Sequence, residues 1–278
     1  MYTDCLYDWE QLAGVWDLYE DKGLNLSLAQ AEISDLVAPL GLVGCGRGKV
    51  LHWLQQALGT HQVAGYDTST EMVVAARARG CEQVHCITPG GLLPQSEPAR
   101  TLMVATGVLD PLEPGEATSL LSGLQPFLHP QGQLWIYVFG QFGGSWSFAQ
   151  ALGATGPLGV ANHRLFELYE AAQAVGVDAA FARWGIAGKE KLQARVWLHG
   201  IGKFVDSVAQ RQASNNEQAL ATVRRITPHT VRHFSEEEID QIVLAAGLES
   251  VSTRRFESHG VLRVAARRRT LADSHAVS

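Results

Sequence analysis

The stretch LGLVGCGRGK, residues 40–49, runs a short apolar segment into three alternate glycines, Gly44, Gly46 and Gly48. LGLV reads as a buried strand. GKVLHWLQQAL reads as a helix, because Val50, Leu51, Leu54, Ala57 and Leu58 recur at helical spacing. The glycines therefore sit at a strand-to-helix turn. QVAGYD then reads as a second strand ending in Asp67, and Ser69 or Thr70 caps a second helix whose inner face is Met72, Val73 and Ala76. The result is a β-α-β unit whose glycine turn lets a nucleotide-bearing ligand approach the backbone. The stretch also lacks an acidic residue just before the glycines, where Leu42 stands.

Working outward, QVHCI, TLMVA and LWIYVF are three more short apolar runs separated by turns or helical stretches. That alternation is expected of a parallel sheet covered on both faces. HPQG, a Pro/Gly breaker, is expected to set the start of QLWIYVF. Near the other end, Ser235 and Glu238 form a capping box for EEEIDQIVLAAG, with Gly247 as its stop, and LESVSTRRF and VLRVAAR follow as two final strands. Between these parts lies a long region with little strand character and amphipathic helical patterns such as RLFELYEAAQAV and LHGIGKFVDSVAQ. The expected fold class is α/β: a Rossmann-like sheet flanked by helices, with a large helical insertion after the fifth strand. Residues 1–142 and 235–268 form its core, 143–234 a helical lid and 269–278 a tail.

A chain of 278 residues, 46% hydrophobic, can bury a full core. Its formal charge of -6 argues against nucleic acid as a partner, because neutralising phosphates calls for a basic surface. A small-molecule substrate is expected instead. Asp4, Asp8, Glu10, Asp17 and Glu20 are out of place in a signal or transit peptide, and no uncharged apolar run is long enough to span a bilayer. The expected location is the cytoplasm, with no membrane partner. Cys5, Cys45, Cys81 and Cys86 form no CxxC pair and no cluster at metal-ligand spacing, so free buried thiols are expected and no metal.

Two large classes place a glycine loop at this turn. A dinucleotide fingerprint, GxGxxG, would put its third glycine at position 49, which is Lys49. The GxGxG spacing, Asp67 at the end of the second strand and the strand entry LHPQGQLWIY together resemble the class I S-adenosylmethionine-dependent methyltransferases. FSEEEIDQIVLAAGLESVSTRRF resembles the helix and strand that close such domains. The resemblance covers about 1–142 and 235–268 as an ordered set of motifs. It implies S-adenosyl-L-methionine as cofactor, held by Gly44, Cys45, Gly46, Gly48, Asp67, Thr68, Thr106 and Gly107. Asp67 would accept from both ribose hydroxyls, the glycines would let backbone amides near the cofactor, and Thr106 to Val108 would line the methionine arm. The chain departs from the family at Leu42, where an acid usually orients the loop and the cofactor's ammonium, and near HCITPGG, where no adenine-binding acid or amide is evident. The function implied is methyl transfer to an N, O or S atom of a small metabolite. The alternatives are a degenerate S-adenosylmethionine-binding protein that transfers no methyl, and a nucleotide-dependent oxidoreductase.

Methyl transfer from a sulfonium is an in-line displacement, so alignment and exclusion of water matter most. A general base is needed only where the acceptor carries a proton, as a hydroxyl or ammonium does. Histidines are the candidates: His229 first, in TPHTVRHFS, then His163, with His233 nearby. Phe142 and Trp146, after the fifth strand, and His199 in the lid are the expected substrate contacts. Residues 144–234 hold ten Lys/Arg against six Asp/Glu, whereas residues 1–143 hold six against fifteen. Either a substrate carboxylate meets a lid cation, or Arg164, Lys189, Lys191 and Arg211 are solvated helix faces. Trp9, Trp16 and Tyr19 recur at helical spacing and read as core. The run RVAARRRT reads as a solvated strand tail.

Overall fold

The computed structural model describes residues 24–87, 98–154, 160–188, 190–226 and 230–269. The opening stretch forms β1 (Leu40–Val43), the glycine turn and α2 (Lys49–Leu58), preceded by α1 (Leu24–Ala31). Next come β2 (Val63–Asp67), α3 (Thr70–Ala78), β3 (Val84–Cys86), β4 (Ala99–Val104), α4 (Pro114–Leu124) and β5 (Leu128–Phe139). Ser69 caps α3 by accepting from the Met72 amide at 3.1 Å, and Met72, Val73 and Ala76 are its buried face.

The main sheet has seven strands in the order β3-β2-β1-β4-β5-β9-β8, where β8 is Leu248–Phe256 and β9 is Val261–Arg268. Strands β1 to β5 pair in parallel, but β9 runs antiparallel to both β5 and β8. The two final strands form a hairpin, and the hairpin's second strand takes the place beside β5. The sheet is therefore mixed rather than parallel throughout. HPQG does not start β5 but lies inside it: the β4–β5 pairing jumps from Ala99↔Leu128 to Thr101↔Gln133, and the extra residues form a bulge. A Cβ on Gly132 would lie 2.8 Å from the Ala99 carbonyl oxygen, so glycine is required there.

One face of the sheet packs on α1, α2 and α3 through Leu28, Leu42, Leu51, Leu54, Val73 and Trp135. The other packs on α4 and on α10 (Glu236–Ala245) through Leu121, Ile136, Val138, Ile239 and Val243. Helix α10 carries the expected capping box, with Ser235 Oγ accepting from the Glu238 amide at 3.2 Å and the Glu238 carboxylate accepting from the Ser235 amide at 2.7 Å.

Between β5 and α10 the chain forms five helices: α5 (Gly143–Ala151), α6 (Asn162–Val175), α7 (Val177–Arg183), α8 (Glu190–Gln212) and α9 (Asn216–Ile226). They bury their own apolar centre, with Phe148, Leu168, Phe181, Phe204 and Val223 in it. A two-stranded antiparallel ribbon, β6 (Val160–Ala161) with β7 (Thr230–Val231), ties the early part of this insertion to its end. No helix among the described residues is long and apolar enough to cross a membrane.

Within the terminal arginine run, Arg263 and Arg268 are held in the fold, whereas Arg267 and Arg269 are exposed. Arg263 is buried, donates Nε to Glu32 Oε1 at 3.1 Å and lies over the Trp135 ring at 4.8 Å. Arg268 donates to the carbonyls of Gln125 and Leu128, and Arg267 pairs with Glu249. Glu32, just beyond α1, has no solvent exposure and also accepts from Tyr137 Oη at 2.5 Å and Arg254 Nη1 at 3.3 Å. Burial, and then the charge of Glu32, push the Tyr137 phenol far above its ordinary range.

Candidate active site

The glycine turn is closed upon itself. The amides of Gly44 and Cys45 both donate to the Tyr66 carbonyl, at 2.9 and 3.1 Å, and that of Gly48 donates to the Cys45 carbonyl at 3.0 Å. The Gly46 amide donates to Asp67 Oδ2 at 2.8 Å, and the Ser69 amide donates to Asp67 Oδ1 at 3.0 Å. Asp67 is buried at the carboxyl end of β2, and its carboxylate is held by the turns on either side of it. A dinucleotide site needs such amides turned outward to a pyrophosphate; here they are committed inward.

Two of the three glycines serve packing. A Cβ on Gly48, at φ +79, would lie 2.7 Å from Cys81 Sγ and 2.8 Å from Ala76 Cβ, so this glycine lets α3 and the following turn close on the loop. A Cβ on Gly44, at φ +73, would lie 2.2 Å from Val108 Cγ2, which brings the end of β4 against the loop. In the direction a Cβ would take, what approaches these two glycines is protein.

Beyond β4 the chain turns at Thr106 and Gly107. A Cβ on Gly107 would meet no atom within 4 Å, so the turn borders open space. Asp110 fixes this turn, accepting from the Gly107 amide at 2.6 Å and from the Phe139 amide, at the end of β5, at 2.7 Å. Burial pushes the Asp110 carboxyl up to about 6, against the opposing pull of those amides. From α1, Asn25 Oδ1 accepts from both the Thr106 amide (3.2 Å) and the Thr106 hydroxyl (2.9 Å).

The segment after β7 runs beside the end of β5. The Arg232 amide donates to the Asp110 carbonyl at 2.8 Å, and the Phe234 amide donates to that of Phe139 at 2.7 Å. Between them lies His233, buried, its ring 5.7 Å from that of Phe139 and 5.5 Å from that of Trp146 on α5. Its Nδ1 has no hydrogen-bond partner in the structure and no solvent contact. Burial lowers the His233 pKa to about 4, with hydrogen bonding to the Val231 backbone opposing.

Of the expected site residues, the structure joins Gly44, Cys45, Gly46, Gly48 and Asp67 in one loop cluster, and Thr106 and Gly107 border it across β1 and β4. Thr68 is exposed beside Asp67. Trp146 reaches His233, whereas Phe142 lies against Gly140 with Arg255 over its ring at 5.4 Å. His163 and His199 are exposed on the insertion. His229 lies outside the described residues, as do Cys5, Trp9, Trp16, Tyr19, Lys189 and the side chain of Arg211. Cys45 and Cys81 are buried free thiols, but Cys86 is exposed, contrary to expectation. Among the described residues no cluster could hold a metal ion. Four arginines of the insertion are engaged with acids: Arg164 with Glu167, Arg195 with Asp178, Arg224 with Glu170 and Arg232 with Glu113. Asn25 and Asp110 were absent from the expected site, whereas His233 was named there only beside His229, for its nearness to the capped helix.

Residues 42–132 match a family model described as a methyltransferase domain. That part of the chain is similar to a methyltransferase domain. No curated protein matches the sequence. Among solved structures, human N-acetylserotonin methyltransferase in complex with S-adenosylmethionine is similar at 11% identity and a TM-score of 0.44, over 84% of this chain and 48% of that one. Magnesium protoporphyrin IX methyltransferase from Synechocystis PCC 6803 is similar at 14% and 0.46, over 89% and 83%. The Burkholderia thailandensis 1,6-didemethyltoxoflavin-N1-methyltransferase is similar at 17% and 0.47, over 88% and 76%. This chain spans about half the length of the human protein.

Asp67 and the turn at Gly107, beside open space, thus lie together at the carboxyl edge of the sheet.

Asp110 and His233 have pKa values shifted in opposite directions. Asp110 has its pKa raised from 3.8 to about 6, so its contribution to stability is present below pH 3.8 and lost as pH rises through 6. His233 has its pKa lowered from 6.5 to about 4, so its contribution is present above pH 6.5 and lost as pH falls through 4. Between pH 4 and 6 the two opposite slopes nearly cancel, each amounting to about 3 kcal/mol over the window. His233→Gln should therefore unmask a stability that falls relative to wild type as pH rises across that window. Urea denaturation at several pH values checks this; a wild-type-minus-variant difference independent of pH would contradict it.

Proposed function

We propose that the protein transfers the methyl group of S-adenosylmethionine to an N, O or S atom of a small metabolite enclosed beneath residues 143–234. Residues 1–142 and 235–268 form the cofactor-binding core. The observation that carries this reading is Asp67, buried at the end of β2 and locked by the amides of Gly46 and Ser69 into a fixed orientation for the ribose. Lys49, at the place of the third glycine of the dinucleotide fingerprint, weighs against the oxidoreductase alternative.

The bound cofactor supplies an electrophilic methyl on a sulfonium. The protein's part is to align the acceptor and exclude water. His233 supports a base role better than His163, because it is buried at the carboxyl edge with an unpartnered Nδ1 rather than exposed on the insertion. With a hydroxyl acceptor, the O–CH3 bond forms as the C–S bond breaks. The sulfur keeps the electron pair as S-adenosylhomocysteine, and the acceptor's proton passes to Nδ1. The notion of a substrate carboxylate rests on the charge segregation of the insertion alone.

Calorimetric titration with S-adenosylmethionine and with NADH separates the two cofactor classes; binding of NADH alone sinks the proposal. Formation of S-adenosylhomocysteine across hydroxyl, amine and thioether compounds then separates an enzyme from a degenerate binder. His233→Gln should slow hydroxyl or ammonium acceptors roughly 10²- to 10⁴-fold, the usual worth of a general base, and leave thioethers unaffected. Unchanged turnover of a hydroxyl acceptor removes His233 from the mechanism.

A further inference from the structure

The insertion leaves the core after Phe139 and returns through residues 230–235, and the two passages are joined. In a parallel bridge between Gly140 and Phe234, the Phe234 amide donates to the Phe139 carbonyl at 2.7 Å and the Gln141 amide donates to the Phe234 carbonyl at 3.0 Å. Such a bridge engages alternate residues through their backbones. Phe234 is engaged, and His233, one residue earlier, turns its backbone the other way.

A side chain takes up what the bridge leaves. Gln141 Nε2 donates to the His233 carbonyl at 2.9 Å and to Glu238 Oε2 at 2.9 Å, 92 and 97 positions along the chain. A primary amide has two protons to donate, one for each acceptor. The same Glu238 oxygen accepts from the Ser235 amide at 2.7 Å and so belongs to the cap of α10. Gln141 therefore joins the end of β5, the backbone of His233 and the first turn of α10. The His233 ring lies beyond, beside Phe139 and Trp146, buried and with Nδ1 unpartnered. While the carbonyl of its own residue is pinned, the ring is held in that place; once the carbonyl is released, the residue can turn and admit water.

We propose that Gln141 is a positioning residue for His233, its side-chain amide holding the ring against Phe139 and Trp146 by tying the His233 carbonyl to the cap of α10. The assignment rests on the reading of His233 as the base and names what aims it. A glutamine suits the task where a lysine or an acid does not, because its amide donates twice without setting a charge beside a neutral imidazole.

Gln141→Leu tests it, removing both donors while keeping most of the volume. The whole protein is prepared with isotope-labelled histidine, the His233 signal is assigned by its loss in His233→Gln, and its titration is followed by NMR. Burial holds the wild-type His233 pKa at about 4. In Gln141→Leu the midpoint should rise toward the ordinary histidine value by about one unit or more, at least tenfold in the ionisation constant. Turnover of the hydroxyl compound that yields S-adenosylhomocysteine with the wild type should fall roughly 10- to 100-fold, the penalty of a misplaced group, with affinity for S-adenosylmethionine retained. Ser235→Ala is the control: it removes the cap of α10 and lowers the melting temperature, yet leaves Gln141 on His233, so neither midpoint nor turnover should move. Gln141→Asn has the same amide on a shorter stem and should give the same shift in smaller measure, which supplies the test if Gln141→Leu does not fold. An unmoved midpoint in the Gln141 variants overturns the proposal, as does an equal shift in Ser235→Ala. Failure of His233→Gln to slow the hydroxyl compound is a different result: it removes the base reading, while the titration still decides whether Gln141 holds the ring.

Discussion

Asp67→Ala should abolish S-adenosylmethionine binding at micromolar concentrations. A hydrogen bond to a charged acceptor contributes about 1.5–3 kcal/mol, so losing two ribose contacts corresponds to roughly a 10²- to 10⁴-fold loss of affinity. The substitution also strips the acceptor from the Gly46 and Ser69 amides, so the loop itself is loosened. Direct and indirect losses are separated with S-adenosylhomocysteine and its 2′,3′-dideoxy counterpart. Wild type should discriminate strongly against the dideoxy compound, and Asp67→Ala should bind the two alike. If the variant still prefers the ribose hydroxyls, another group holds them, and Asp67 serves only to shape the turn. Asp67→Asn gives an intermediate case, because one oxygen is retained while the new NH2 faces an amide donor.

The parts of this site legible in the sequence are those written in local patterns. Apolar spacing marked β1, α2, β2 and the inner face of α3, and side-chain chemistry marked the caps at Ser69 and at Ser235 with Glu238. The glycines were visible, but not that Gly44 and Gly48 yield to Val108, Ala76 and Cys81, because those neighbours come from other elements. HPQG carried every sign of a turn; only the register of β4 shows that its residues bulge within a continuing strand. Asp110 and Asn25 stand in no local pattern. Each becomes informative through a partner far along the chain, Phe139 for the first and Thr106 for the second. Leu42 is the instructive case. As an absence in a motif it suggested impaired cofactor binding, whereas its burial beside α1 turns the question to what α1 carries with it.

Glu32 shows the same principle in stability, and Glu32→Leu should destabilise the fold by about 3–5 kcal/mol, the usual cost of breaking a buried ion pair. Its partner Arg263 lies 231 positions away in sequence, and no periodicity connects them. The carboxylate is fully buried and joins α1 to β5, β9 and β8 through Tyr137, Arg263 and Arg254. Removing it leaves the buried Arg263 guanidinium without its counter-charge and the Tyr137 hydroxyl without an acceptor. Arg254, half exposed, can turn to water. For a chain of this size the loss corresponds to a fall of roughly 10 °C in the thermal midpoint. The double variant Glu32→Leu with Arg263→Met should recover much of it, because exchanging a whole buried pair for apolar groups is often neutral or stabilising. Recovery would show that the single-variant loss is the cost of an orphaned charge. A double variant as unstable as the single one would mean instead that the network determines how α1 sits on the sheet.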